Sequence, residues 1–303
     1  MSEKYEFIDA EYAAHPADRE PAHAPSIRQM CDWLSVSKSG FYEWRSRPAS
    51  ATVQRREELK LKIAALFDAS DGTYGYRRIH AELRRVGERV GPELVRQLMR
   101  QLGLVPCQPR PYRVTTVPGE AGRPPADLVR RDFTAQAPGR KLVGDITYIR
   151  TWAGWLYLAT VIDCFNKEVI GYAMAEHMRT ELVTDALDMA ARNHQLAADC
   201  VFHSDHGAQY TSADFAVKLD ELGLRQSLGR TGSCYDCELA ESFFATLKNE
   251  RVHRTVYPTR QKAKEDIARY IEIIYNRRRL HSALDYRTPH EVRNEYLNRQ
   301  LAA

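Results

Sequence analysis

Three acidic residues stand in segments that could bring them together: Asp145 in VGDITYIRT, Asp205 in FHSDHGAQYTS and Glu241 in CYDCELAESFFATLKNE. Between the first two lie 59 residues, and between the second two 35. Asp145 falls inside an apolar run that reads as a strand, Asp205 follows the apolar CVF at a strand end, and Glu241 opens a helix. Converging carboxylates are hard oxygen donors. They suit a pair of Mg²⁺ or Mn²⁺ ions, which activate an attacking oxygen and stabilise a leaving one in phosphodiester chemistry. Each acid alone has an ordinary reading: a polar residue on an edge strand, a turn-forming Asp before Gly207, a solvated helix face. Lys248 lies seven residues beyond Glu241, two helical turns, and shares its face.

The elements that must position these residues form a mixed α/β pattern. LVGDITYIRT and GWLYLATVID read as two strands joined by a tight turn at Ala153-Gly154, and EVIGYAMA as a third. A helix over about 180–194 leads to the short strand CVFHS. A helix over about 212–222 follows, with Thr211 as its N-cap, then RQSLG as a fifth strand and a helix over about 238–249. Three antiparallel strands followed by alternating helices and short strands fit an α/β, ribonuclease-H-like core at 140–252. A basic segment at 253–303, with a last helix over about 259–275, completes it.

Ahead of this core the sequence is helical. Residues 1–23 show no apolar periodicity and read as a loose tail. Residues 24–105 read as a DNA-binding arm. SIRQMCDWLSVSKSGFYEWRSRP has the helix-turn-helix shape, with its second helix starting near Ser37 and Lys38 exposed. A polar helix follows over about 53–67, then two arginine-rich helices over about 77–86 and 92–102, with Arg77 and Arg78 on the outside. Residues 106–139 form a proline-rich linker, with Arg110, Arg113, Arg123, Arg130 and Arg131 placed to run over DNA.

Charge follows the same partition. Residues 26–113 carry 17 Lys/Arg against 9 Asp/Glu, residues 141–245 carry 8 against 15, and residues 246–281 carry 10 against 4. Basic flanks around an acidic middle suit a polyanion gripped on both sides of an acidic site. No apolar run is long enough to span a bilayer, and the N-terminus lacks a signal-peptide pattern. The expectation is a cytoplasmic, nucleoid-associated protein with no membrane partner, its six cysteines free.

Four ordered segments carry a family resemblance: VGDITYIRT with GWLYLATVIDCFNKEVIGYA, HSDHGAQYTS, SCYDCELAESFFATLKNE and YIEIIYNRRRLHSALDYRTP. Together they resemble the integrase-type (DDE) core of OrfB-type insertion-sequence transposases over about 26–296 and, more distantly, retroviral integrases. The resemblance implies that Asp145, Asp205 and Glu241 are the catalytic, metal-binding triad for two Mg²⁺ (or Mn²⁺) ions, with Asp145 bridging. It also implies that Lys248 touches DNA near the reacting end and that Arg277, Arg278, Arg279 and His281 contact DNA. The implied partners are element ends, target DNA, further copies of the chain assembled on DNA, and an upstream-frame product or fusion. His206 and Cys237 stand where the family usually has Arg and Asn.

Three other readings are open. A non-catalytic DNA-binding product of a decayed element would repress or assist. A nuclease would cut without joining. His203-x-x-His206 with Cys234-x-x-Cys237 could hold a structural zinc, although that zinc would crowd Asp205.

Overall fold

The computed structural model describes residues 2–14, 25–48, 50–107, 127–229 and 238–302. They divide into two compact units, Met1–Ala64 and Ala65–Ala303.

In the first unit, α1 (Ser2–Ala14), α2 (Ile27–Trp33) and α3 (Lys38–Ser46) precede α4 (Ala51–Ala69). Ser26 and Gln29 close a capping box on α2, and Ser37 caps α3 through Gly40 N at 3.2 Å. The helix-turn-helix shape is therefore present. The expected loose tail is instead helix α1. Tyr5 and Ile8 bury against Ile27, Met30, Cys31 and Phe41, and the Tyr5 ring meets Phe41 edge-on at 5.9 Å. Two buried residues make no visible stripe, so tertiary packing rather than pattern holds this helix.

The second unit begins with the end of α4 and the pair α5 (Tyr76–Arg85) and α6 (Pro92–Gln101), which bury Ile79, Leu83, Val95, Leu98 and Met99. The expected arm at 24–105 is thus divided. Tyr74 Oη donates to Arg278 O and accepts from Leu280 N, and Arg78 Nε donates to Leu280 O, tying α5 to the chain beyond the catalytic segments. Of the expected linker, 108–126 lies outside the described residues, including Arg110, Arg113 and Arg123. Arg130 and Arg131 are exposed, while Val129 between them and Leu128 is buried and Leu128 N donates to Ser227 Oγ at 2.9 Å.

A five-stranded sheet follows, in the order β3-β2-β1-β4-β5. β1 (Lys141–Thr151) and β2 (Gly154–Asp163) form an antiparallel hairpin, and β3 (Val169–Ala175) adds antiparallel to β2. β4 (Val201–Ser204) and β5 (Arg225–Leu228) add parallel on the other side of β1. α7 (Thr180–Asn193), which makes the crossover, and α8 (Ala213–Glu221) cover one face through Leu142, Ala159, Val161, Ile170 and Phe202. α9 (Glu238–Glu250) and α10 (Arg260–Arg269) cover the other through Val143, Ile149, Leu156, Leu158 and Ile162. α7 lies so close to β3 that a Cβ on Gly171 would stand 2.2 Å from Ala186 O. This is the ribonuclease-H-like arrangement that the strand and helix order implied.

One local expectation is corrected and two are refined. Ser212, not Thr211, caps α8, accepting from Phe215 N at 3.3 Å. The helix expected over 259–275 is α10 followed by a π-helical turn, Tyr270–Tyr275. A further helix, α11 (Pro289–Leu301), closes the chain behind a Thr288–Glu291 capping box.

Candidate active site

Asp145 and Asp205 meet through strand register. β1 and β4 pair in parallel up to Val143 opposite His203, Asp145 and Asp205 each follow that last pair by two residues, and the Asp205 charge acts directly on Asp145. Neighbouring strands run about 4.8 Å apart, which brings two carboxyl groups within Coulombic reach. Gly144 permits this path: a Cβ there would lie 2.3 Å from Phe202 Cζ, the ring that packs across β1 from β4. Beyond Val143, β1 has no strand partner on its β4 side among the described residues. The Ile146 N–H at this open stretch donates to Asp145 Oδ1 at 2.7 Å. Asp205, exposed, accepts from Gly207 N through Oδ1 at 3.0 Å.

Electrostatics report the same neighbourhood. Burial first, then the Asp205 charge and more weakly Glu241, together push the Asp145 carboxyl up to about 7 against the opposing Ile146 N–H and Lys248. Glu241 stands in the first turn of α9, and its own carboxyl is raised by burial and then by Glu238. Lys248 on the same helix is lowered by burial, with Asp145 acting in the opposite direction. Its Nζ reaches past the open stretch of β1 to lie 5.3 Å from the Tyr148 ring centroid. The structure therefore sets Asp145 beside Asp205, with Glu241 and Lys248 supplied from the flanking helix. Among the described residues no three His, Cys, Asp or Glu side chains are close enough together to hold one ion. The donor set itself fits a hard divalent cation: all oxygen, with one N–H bond on each of the Asp145 and Asp205 carboxylates among the described residues, and like charges that an added cation would relieve.

The basic residues fall into two groups. Lys38, Arg77, Arg277 and Arg278 are exposed. Arg78, Arg279 and His281 are not, and this corrects the expectation that they lie open to DNA. Arg279 is 8% exposed, and its Nε and Nη2 donate to Glu250 at 3.0 and 2.8 Å. Burial opposes its charge, and the Glu250 carboxylate more than offsets that, holding the guanidinium protonated. Tyr270 Oη donates to Glu250 at 2.7 Å, and Arg78, half-buried, adds an ion pair at 3.5 Å. His281 is buried edge-on against Tyr275 at 4.7 Å. Burial, then Arg279, pushes its imidazole down to about 3.

Glu250 and Tyr270, which anchor the end of α9, were missed by sequence reasoning. A single Glu at a helix end and an aromatic in an apolar run carry no signal that they will meet. For the zinc reading, His203 is buried with Nδ1 2.8 Å from Ser227 Oγ, a core partner. Cys234 and Cys237 lie outside the described residues.

Models of the integrase core domain match residues 135–234 and 222–289, and a model of an HTH-like domain matches 54–112. The transposase InsF for insertion sequence IS3A from Escherichia coli (strain K12) is 36% identical over 274 residues, 90% of this chain and 95% of that protein. This chain belongs to the insertion-sequence transposases with an integrase core domain. An uncharacterized 31 kDa protein of insertion element IS600 from Shigella sonnei is 39% identical over 274 residues, 90% of this chain and all of that one. Among solved structures, the catalytic core domain of BIV integrase is 14% identical, covering 54% of this chain and 99% of its own, with a TM-score of 0.41. Among the described residues no helix is long and apolar enough to cross a membrane.

Proposed function

We propose that this transposase cleaves DNA at the ends of its element and joins the freed 3′-hydroxyls to target DNA, with Asp145, Asp205 and Glu241 as its metal-binding acids. The observation that carries this reading is the parallel pairing of β1 with β4, which ends two residues before both Asp145 and Asp205 and leaves their carboxyls in Coulombic contact beside a helix bearing Glu241 and Lys248. Bound Mg²⁺ or Mn²⁺, two per site, would supply Lewis-acid activation of the attacking and leaving oxygens. Asp145, Asp205 and Glu241 would hold them. Asp145 would have to be ionised to serve as a ligand. Lys248 offers its ammonium to the phosphate at the acids. Water attacks the end phosphodiester and the 3′-oxygen leaves. That 3′-hydroxyl then attacks a target phosphodiester and displaces a target 3′-oxygen, so one bond forms as one breaks in each step.

Exposed Lys38, Arg77, Arg277 and Arg278 would contact phosphates. Joining two ends calls for at least two copies of the chain on DNA, and an upstream-frame product would supply end recognition, all in the bacterial cytoplasm at the nucleoid. Asp205→Asn is expected to abolish cleavage of labelled element-end DNA and to retain binding to it. Full cleavage by that variant would remove Asp205 from the reaction. Binding without cleavage by the unaltered chain would favour the accessory, non-catalytic reading.

A further inference from the structure

The β1–β2 hairpin carries a surface that the acids do not explain. Tyr148, Trp152 and Trp155 are 58%, 77% and 47% exposed. Tyr148 stands opposite Tyr157 and Arg150 opposite Trp155, so Tyr148, Arg150 and Trp155 share one face of the hairpin. The Tyr148 and Trp155 rings meet edge-on, centroids 5.1 Å apart. A cluster of large aromatics left in water marks a contact surface. Its surroundings are cationic. Lys248 Nζ lies 5.3 Å from the Tyr148 ring, and Arg150 is exposed with no ion pair among the described residues.

We propose that this hairpin face is a stacking platform for an unpaired nucleobase of the DNA strand held at the acids. The inference rests on the function proposed above. Aromatic rings interleaved with cations match a strand in which every base has a π-face and every link an anion. An apolar partner would leave Arg150 and Lys248 stripped of water without compensation. Tyr148 is three residues beyond Asp145 and so on the opposite face of β1. Lys248, which feels the Asp145 charge and holds its Nζ 5.3 Å from the Tyr148 ring, links the acids to this face at the open edge of the strand. The contact would favour ends whose terminal bases open, which gives the hairpin a part in selecting the DNA it acts on.

The test measures binding of the full chain, in the Asp205→Asn background so that no turnover intervenes, to a short single-stranded DNA and to its blunt duplex, each carrying 2-aminopurine. Tyr148→Ala and Trp155→Ala should each weaken single-strand affinity about tenfold and remove the change in 2-aminopurine emission, while Tyr148→Phe keeps both. Duplex affinity should hardly move. These side chains are exposed, so the thermal midpoint should be retained. Equal losses on single strand and duplex, or a Tyr148→Phe variant as weak as Tyr148→Ala, would overturn the platform. So would unchanged DNA affinity with a shift from multimer to monomer in sedimentation, which would make the hairpin a self-association surface. Because binding is read without turnover, an unaltered chain that never cleaves element ends would sink the proposed function and leave the platform's own result standing.

Discussion

Replacing Arg279 with Met tests whether the basic run after α10 belongs to the interior or to the DNA. The guanidinium donates to Glu250 through Nε at 3.0 Å and Nη2 at 2.8 Å, in a setting where Arg279 is 8% and Glu250 6% exposed. Removing one partner of a buried ion pair leaves an uncompensated charge and costs about 3–5 kcal/mol. Tyr270 Oη and Arg78 remain on Glu250, at 2.7 and 3.5 Å, which sets the expectation at the lower end of that range. For a unit of this size a loss of about 3 kcal/mol corresponds to a fall on the order of 10 °C in the thermal midpoint. The assay is thermal unfolding of the full chain, alone and with Glu250→Gln added. The double variant should recover part of the loss, since it removes the stranded charge. A midpoint within about 1 °C of the parent, together with a large loss of DNA affinity, would refute the burial argument and return Arg279 to the phosphates.

Further outcomes follow from the same contacts. His281 is held neutral in the fold, pushed down to about 3 by burial and Arg279, with Arg78 and Tyr275 also facing it. The unfolded chain takes up a proton below about 6.5 that the fold refuses, so stability falls with pH in the window from 6.5 down to 3, by about 2 kcal/mol at pH 5. Thermal midpoints measured at pH 7 and pH 5 should drop less for His281→Phe than for the parent, and an unchanged slope would exclude His281 as the source. Gly144→Ala would drive a methyl to 2.3 Å from Phe202 Cζ. It should cost about 1–3 kcal/mol and, by moving β1 beside Asp145, cut cleavage more than DNA binding. An active variant of parental stability would show that the Phe202 ring can yield.

Much of the fold could be read from local pattern. Strand alternation in VGDITYIRT and GWLYLATVID, with Gly154 at the turn, marks the hairpin because burial of one face is written into alternate residues. The capping box and Pro289 at the start of α11 were equally legible and passed over. What sequence could not carry was long-range. The approach of Asp145 to Asp205 comes from parallel pairing of β1 with β4 just before both residues, which neither segment encodes alone. Arg279 and His281 look like a solvated basic run, and only Glu250, 29 residues earlier, and Tyr275 turn them inward. Helix α1 escaped for a related reason, since Tyr5 and Ile8 are recruited by Phe41 rather than by any periodicity of their own.

The central claim is that three carboxylates from β1, the end of β4 and α9 form one metal-dependent strand-transfer site. The most direct measurement follows labelled element-end DNA through nicking and joining to target DNA with Mg²⁺ or Mn²⁺, for the unaltered chain beside Glu241→Gln. The account predicts 3′-end nicking and joined products that require the metal and vanish in the variant while DNA binding persists. Products formed equally by Glu241→Gln, or formed without a divalent metal, would contradict it.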